Sequence, residues 1–443
     1  MPWSDDLRQE LRVRAMINQR AAAFPGEDGF PYVEPPEAEL ERACDWILRR
    51  QNSEGFWPQD GGTYRFYADS YGVRGLLAAR EILGREDYAR AACKWIERIL
   101  ELQRPDGGWW VGYSWGDHDF HDPTDDRTVV YVADAGEVSA GLVVAHGLLK
   151  NRAETAGLAS RIRHALVKFR AYADQFRLAS GAIGLGYTER DFYKSTPAAK
   201  VRRPFMQAHH RPFPFATAVT GVGFYAGLSA VTGDAGAWRD AMRSLDWCLE
   251  NLRDERQGEL DPDAGRRLEL RVLGRCMDTA FRCCPAPLDK AAPTRLSSEP
   301  LYQAPERQKL YGVWKYVVHH FAETQSDAGE WPLRAAEGDA IARFNTGLRH
   351  RMYFLYSLVS YLQAGHDRPE EDKPLRHAAA RQMWLCADRD VLADHYGVAG
   401  QSCIIMPTGL WAMTLAELLR PGVTLPADGG PRSGDGSHTS PSS

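Results

Sequence analysis

Three segments of this chain end a helical run in the same way. Gln51-Asn52-Ser53-Glu54-Gly55-Phe56-Trp57, Gln103-Arg104-Pro105-Asp106-Gly107-Gly108-Trp109 and Gln325-Ser326-Asp327-Ala328-Gly329-Glu330-Trp331 each place a Gln, a short polar stretch, a Gly and a Trp between two helical patterns. A helix-end device that recurs predicts a repeat architecture rather than a single layered core. Each residue type has a physical use there. Glycine tolerates the tight backbone just past a helix end. The tryptophan buries a large ring and donates its indole N–H to a carbonyl. The glutamine side chain satisfies backbone groups left open at helix ends. The motif therefore reports packing corners, not chemistry.

The hydrophobic periodicity between the corners is helical throughout. Residues 6–22 are expected to form a helix outside the main body, followed by a break at Pro31, Pro35 and Pro36. Amphipathic outer helices are expected at 37–52, 87–102, 154–176, 237–252, 305–324 and 375–388. Apolar, Gly- and Ala-rich inner helices are expected at 63–83, 129–149, 216–232, 267–283, 340–362 and 408–419. About twelve helices in six outer–inner pairs predict an all-α (α/α)6 toroid. The expected division is 1–35 as N-terminal helix and linker, 36–420 as the toroid and 421–443 as a disordered tail, Gly429–Ser443 being Pro, Gly, Ser and Asp-rich. Long connections at 111–128, 177–215, 254–265 and 285–302 read as rims or lids.

The corner at Arg42–Trp57 resembles the QW repeat of squalene and oxidosqualene cyclases, with a basic residue, a small one, an aromatic, an aliphatic, then Gln, Gly and Trp. The two later copies fit only from the Gln onward. Protein prenyltransferase β subunits share the α/α-toroid fold that this resemblance implies, and so do several carbohydrate-active (α/α) barrels. The sequence departs from the cyclases in one respect. It carries Asp125-Asp126 before Arg127-Thr128, without the first Asp of a DxDD motif.

A net charge of -5 and a pI near 6.2 argue against nucleic acid as a partner. Met1-Pro2-Trp3-Ser4-Asp5-Asp6 is acidic and lacks an apolar signal-peptide core, and no uninterrupted apolar run of membrane-spanning length is visible. The eight cysteines include no CxxC pair and read as reduced thiols. A cytoplasmic protein is expected, with peripheral membrane contact left open and the oligomeric state undetermined. No Walker loop, GxGxxG, GxSxG, HExxH or Cys/His metal spacing is present, so no cofactor or metal is expected, metal binding by the Asp/His-rich loop over 117–128 being left open.

In such a ring the first turns of the inner helices face the mouth, which selects the candidates. Asp125 and Asp126 end an Asp/His-rich loop over 117–128 and are candidate acids, against the plainer alternative of a solvated N-capping loop. Asp134 and Glu137 lie three apart on one face of an apolar helix, which suits a general acid or a buried counter-ion to arginines from across the ring. His210 and its neighbour His209 precede an inner helix and suit acid/base work or substrate contact. Tyr67, Arg271, Asn345, Arg349 and Tyr353 are candidate substrate contacts, the last three sharing one helix face and the arginines offering forks to carboxylates or phosphates.

Three functions fit. The first is a terpenoid-cyclase-like enzyme acting by acid-initiated chemistry on a prenyl or other anionic-hydrophobic small molecule. The second is a carbohydrate-active barrel (lyase, hydrolase or epimerase) on an acidic sugar. The third is a non-catalytic binding scaffold. The missing DxDD weighs against the first.

Overall fold

The computed structural model describes residues 15–16, 18–24, 36–58, 65–109, 132–184, 212–251, 267–284, 305–323, 325, 340–364, 372–386 and 405–424, with side chains described everywhere except 267–271 and 340–350. Within them twelve main helices follow one another: α1 (Pro36–Arg50), α2 (Phe66–Leu83), α3 (Glu86–Glu101), α4 (Val132–Leu149), α5 (Ala156–Ala173), α6 (Pro214–Thr232), α7 (Ala235–Asn251), α8 (Arg267–Cys283), α9 (Pro305–Glu323), α10 (Ala340–Gln363), α11 (Lys373–Cys386) and α12 (Ile405–Leu419). The even-numbered helices form a closed inner ring. α2 packs on α4, α4 on α6, α6 on α8, α8 on α10, α10 on α12, and α12 returns to α2. The odd-numbered helices lie outside, α3 on α2, α5 on α4, α7 on α6, α9 on α8 and α11 on α10. This is the (α/α)6 toroid expected from the periodicity, with helix ends shifted by a few residues.

The two layers follow from side-chain pattern. On α3 the buried residues are Tyr88, Ala91, Ala92, Trp95, Ile96 and Ile99, a single stripe at 3–4-residue spacing. On α4 the buried set runs almost without a break from Val132 to Leu149. Helices apolar all round belong in a protein interior or a bilayer. Val132–Leu149 and Pro214–Thr232 are long and apolar enough to cross a membrane, although neither is an uninterrupted apolar run. They are 83% and 78% buried inside the ring, which accounts for their composition. Small residues let inner helices approach closely. Gly409 of α12 lies against the backbone of Tyr71 and Gly72 on α2, where a Cβ would collide, and a Cβ on Gly75 would stand 2.9 Å from that of Ala412.

The corners bind each hairpin to the next. The Trp57 indole donates to the Ile47 carbonyl at 2.7 Å and the Trp109 indole to Ile99 at 2.9 Å. Gln51 donates to Gly55 within its own loop and to Ala91 on α3, and Gln103 to Gly107 and to Ala165 on α5. Gln325 reaches Ala378 on α11, while Trp331 lies outside the described residues. A further corner has no sequence signature. Leu178 N–H donates to the Ala182 carbonyl and Gly181 N–H to that of Leu178, repeating the Asn52/Phe56/Gly55 and Arg104/Gly108/Gly107 pairings. Gly55, Gly107 and Gly181 share φ +94. Without Gln or Trp, this loop uses Ser244 on α7, whose hydroxyl donates to the Gly181 carbonyl.

The two-residue link at 84–85 and that at 233–234 join inner to outer helices, so neighbours run antiparallel and the inner helices run together. The described outer-helix ends at 51–57, 103–109 and 177–184 therefore lie on the side of the N-terminal ends of the inner helices. At the other end a second network closes the ring. Arg282 donates to Asp278 at 2.5 Å and to Glu417 at 3.0 Å, and Tyr356 donates to Asp278 at 2.7 Å. Gly422 and Thr424 backbone N–H groups cap Glu417. Arg20 and Trp384 exchange backbone-directed hydrogen bonds, seating the described part of the N-terminal helix against α11. The 421–443 tail is described only to Thr424.

Candidate active site

Four inner helices bring ionisable side chains to one place. On α2, Tyr67, Tyr71 and Arg74 recur at i, i+4 and i+7 and so share a face. α4 contributes Asp134 and Glu137, α8 contributes Arg275 and α10 contributes Tyr353. Glu137 is the hub. Its carboxylate accepts from the Tyr71 hydroxyl at 2.6 Å and from Arg275 Nη2 at 2.6 Å. Arg74 Nη2 donates to the Glu137 backbone carbonyl at 3.0 Å and stands 3.5 Å from the carboxylate. The Tyr71 and Tyr353 hydroxyls are 3.1 Å apart. Both guanidiniums lie over the Tyr71 ring, at 4.6 Å and 5.7 Å, and Arg275 also lies over Tyr353. Tyr71, Arg74, Glu137, Arg275 and Tyr353 are each at most 3% exposed.

Burial settles the charge states here. Desolvation pushes the Tyr71 hydroxyl well above its ordinary pKa, so it stays protonated and donates. Burial is the largest single effect on Arg275 and works against its charge, but Glu137 together with Tyr71, Cys276 and Tyr353 outweighs it and raises the pKa. Desolvation likewise raises Cys276, to about 11, so its thiol is inert. One turn nearer the N-terminal rim, Tyr67 and Asp134 are half-buried where Tyr71 and Glu137 are fully buried. The face thus grades from a fully buried floor to a half-buried upper layer. α6 adds a π-helical stretch at Thr217–Phe224, and Thr220 donates to the Val132 carbonyl beside the start of α4. Such widened turns occur often at functional sites.

Of the candidates named from sequence, Tyr67, Asp134, Glu137 and Tyr353 lie on inner helices at the faces just described. Asp125, Asp126, His209 and His210 lie outside the described residues. Arg271 sits on α8, and Asn345 and Arg349 on α10, with their side chains outside the description. The arginines bonded to Glu137 are Arg74 and Arg275. Arg74 was not nominated, although its spacing from Tyr67 and Tyr71 on an inner helix was the available signal. Among the described residues no group of His, Cys, Asp and Glu is arranged to hold a metal.

No family model matches the chain. Solved structures match its fold. A cellobiose 2-epimerase from Spirochaeta thermophila DSM 6192 aligns with TM-score 0.53 at 12% identity, over 86% of this chain and 96% of that one. A possible member of the GH105 family from Klebsiella pneumoniae aligns with TM-score 0.53 at 11% identity, over 89% and 95%. An inactive variant of the alpha-1,6-mannanase GH76A of Salegentibacter sp. HEL1_6, in complex with alpha-1,6-mannotriose, aligns with TM-score 0.52 at 9% identity, over 87% and 100%. At such identities the likeness is one of fold. These matches are carbohydrate-active (α/α) barrels and not terpenoid cyclases, which overturns the cyclase expectation. The physical reason for the error is plain. Gln–Gly–Trp corners tie helical hairpins together whatever the ring encloses, and this ring encloses buried arginines, a glutamate and tyrosines.

Proposed function

We propose that the chain is a carbohydrate-active enzyme whose saccharide binds at the N-terminal rim of the inner ring, above the Glu137 floor. The observation that carries this reading is the graded face on α2 and α4. Tyr71 and Glu137 are locked beneath, while Tyr67 and Asp134 stand half-buried above them. Glu137 already accepts from two side-chain donors at 2.6 Å, so its part is to fix Tyr71 and the arginines. Proton transfer at the sugar falls to Asp134, and the Tyr67 ring supplies a stacking face. The fold-level likeness to an epimerase and to a mannanase complexed with alpha-1,6-mannotriose supports a small saccharide. A lyase or epimerase mechanism suits the tyrosine- and arginine-rich floor better than hydrolysis, which uses two facing carboxyl groups.

The test is a panel of mannooligosaccharides, cellobiose and uronate-containing oligosaccharides, followed by chromatography of the products. Conversion of at least one saccharide, reduced about a hundredfold or more in Asp134→Asn, is expected for loss of a general acid–base group. A panel with neither turnover nor saturable binding overturns the reading.

A further inference from the structure

Among the described residues the floor carries two guanidiniums and one carboxylate. Arg74 and Arg275 are each 3% exposed, and among the described residues the carboxylate bonded to them is that of Glu137. Tyr71 cannot balance the second positive charge, because its buried hydroxyl stays protonated. Among the described residues the Nε–H groups of both arginines are buried without a hydrogen-bond acceptor. A surplus buried charge and orphaned donors on the same two residues are costly unless something completes them. The inner helices also turn their N-terminal ends toward the rim above, which adds positive potential on that side.

We infer that Arg74 and Arg275 form an anion subsite at the ring axis, and that the saccharide proposed above is acidic, its carboxylate binding these guanidiniums from the rim. This rests on the carbohydrate reading and narrows it. Neighbouring arginines offer planar forks that match a carboxylate geometrically. The half-buried Tyr67 and Asp134 then meet the pyranose ring beside that carboxylate, where abstraction of the proton α to it is the chemistry a lyase or a C5-epimerase needs.

The experiment compares thermal stabilisation and calorimetric binding of D-glucuronate, D-glucose and acetate on the full chain. Saturable stabilisation by glucuronate, with a dissociation constant at least about tenfold below that for glucose, is expected from one charge-assisted hydrogen-bonded pair. Acetate should compete with it. Arg74→Lys and Arg275→Lys keep the charge and lose the fork, and each should weaken glucuronate by about tenfold. Equal binding of glucose and glucuronate would overturn the anion subsite and leave the carbohydrate reading standing. Acetate binding without either sugar would support the subsite and remove the saccharide. Binding of none of the three would overturn the subsite, the orphaned N–H groups then being met by water.

Discussion

The Tyr71 hydroxyl donates a 2.6 Å hydrogen bond to Glu137 across the interface of two inner helices, and Arg275 meets the other oxygen of the same carboxylate at 2.6 Å. α2, α4 and α8 are thereby joined through one side chain at the axis of the ring. A contact of this kind is sensitive to removal because every partner is buried.

Tyr71→Phe should test the first of these bonds. It removes one charge-assisted donor from Glu137 and leaves the ring in place to pack against Tyr353, 5.9 Å away. The expected loss is about 1.5–3 kcal/mol of unfolding free energy, the range for a hydrogen bond to a charged group. Urea unfolding of the two proteins gives the number. A midpoint equal to wild type would mean that water or Tyr353 replaces the bond at no cost.

Glu137→Gln separates two roles. As a counter-ion, Glu137 neutralises guanidiniums that cannot reach solvent, and Gln would leave them uncompensated at a cost of about 3–5 kcal/mol. As a proton carrier, it would lose turnover in Gln while keeping stability. The structure favours the larger stability loss, since Arg275 and Tyr71 both end on this carboxylate. Denaturation midpoint and saccharide turnover, measured on the same preparation, distinguish the outcomes.

Asp69 carries a pH dependence. It is fully buried on α2, with the Trp95 indole N–H at 3.3 Å from one oxygen and the other oxygen unbonded. Desolvation raises its pKa well above the ordinary carboxylate value, against the smaller opposing effects of the Trp95 and Trp57 N–H groups. The folded state therefore holds a proton that the unfolded chain releases above about pH 4. The stability this group confers is complete below the unfolded pKa and declines as pH rises toward the folded pKa, by about 1.4 kcal/mol per pH unit. Asp69→Asn has no proton to lose. Its stability relative to wild type should improve steadily from pH 4 upward, and a difference that stays constant with pH would refute the buried protonated carboxyl.

His146 works in the opposite direction at low pH. Burial, with Lys150 and Arg163 nearby, lowers its pKa to about 4. An unfolded histidine takes up a proton below about pH 6.5. The folded protein thus loses stability as pH falls from 6.5 toward 4, and His146→Gln should flatten that part of the profile, as read by melting temperature across the same buffers.

What the sequence disclosed and what it hid have physical causes. The ring was legible because α3 carries a single apolar stripe and α4 is apolar all round, a contrast that survives in one dimension. The corners at Trp57 and Trp109 were legible because a bulky residue and a glutamine mark them. The floor was less so. Glu137 stood out as a carboxylate among Ala, Gly and Val, but its partners Arg74 and Arg275 lie 63 and 138 residues away in sequence. Arg74 reaches Glu137 through the packing of neighbouring inner helices, and Arg275 reaches it across the ring from α8. The cyclase reading failed because the corner residues report how hairpins pack, and nothing in them touches the axis.

The unmarked corner at Leu178–Ala182 gives the last prediction. Gly181 has φ +94, and a Cβ built there would stand 2.6 Å from the carbonyl oxygen of Arg243 on α7. Gly84, at the link between α2 and α3, also has a positive φ of +69, yet a Cβ there meets nothing within 4 Å. Alanine at Gly84 carries only the left-handed backbone penalty, about 1–2 kcal/mol. Alanine at Gly181 carries that penalty and must also push the loop off α7, disturbing the bond from Ser244 to the Gly181 carbonyl. Gly181→Ala should therefore destabilise by at least about 1 kcal/mol more than Gly84→Ala, the added cost of one displaced buried hydrogen bond. Paired guanidinium melts of the two variants decide it. Equal midpoints would show that the loop does not clamp α5 to α7, and that the Gln and Trp of the other corners are needed for the clamp.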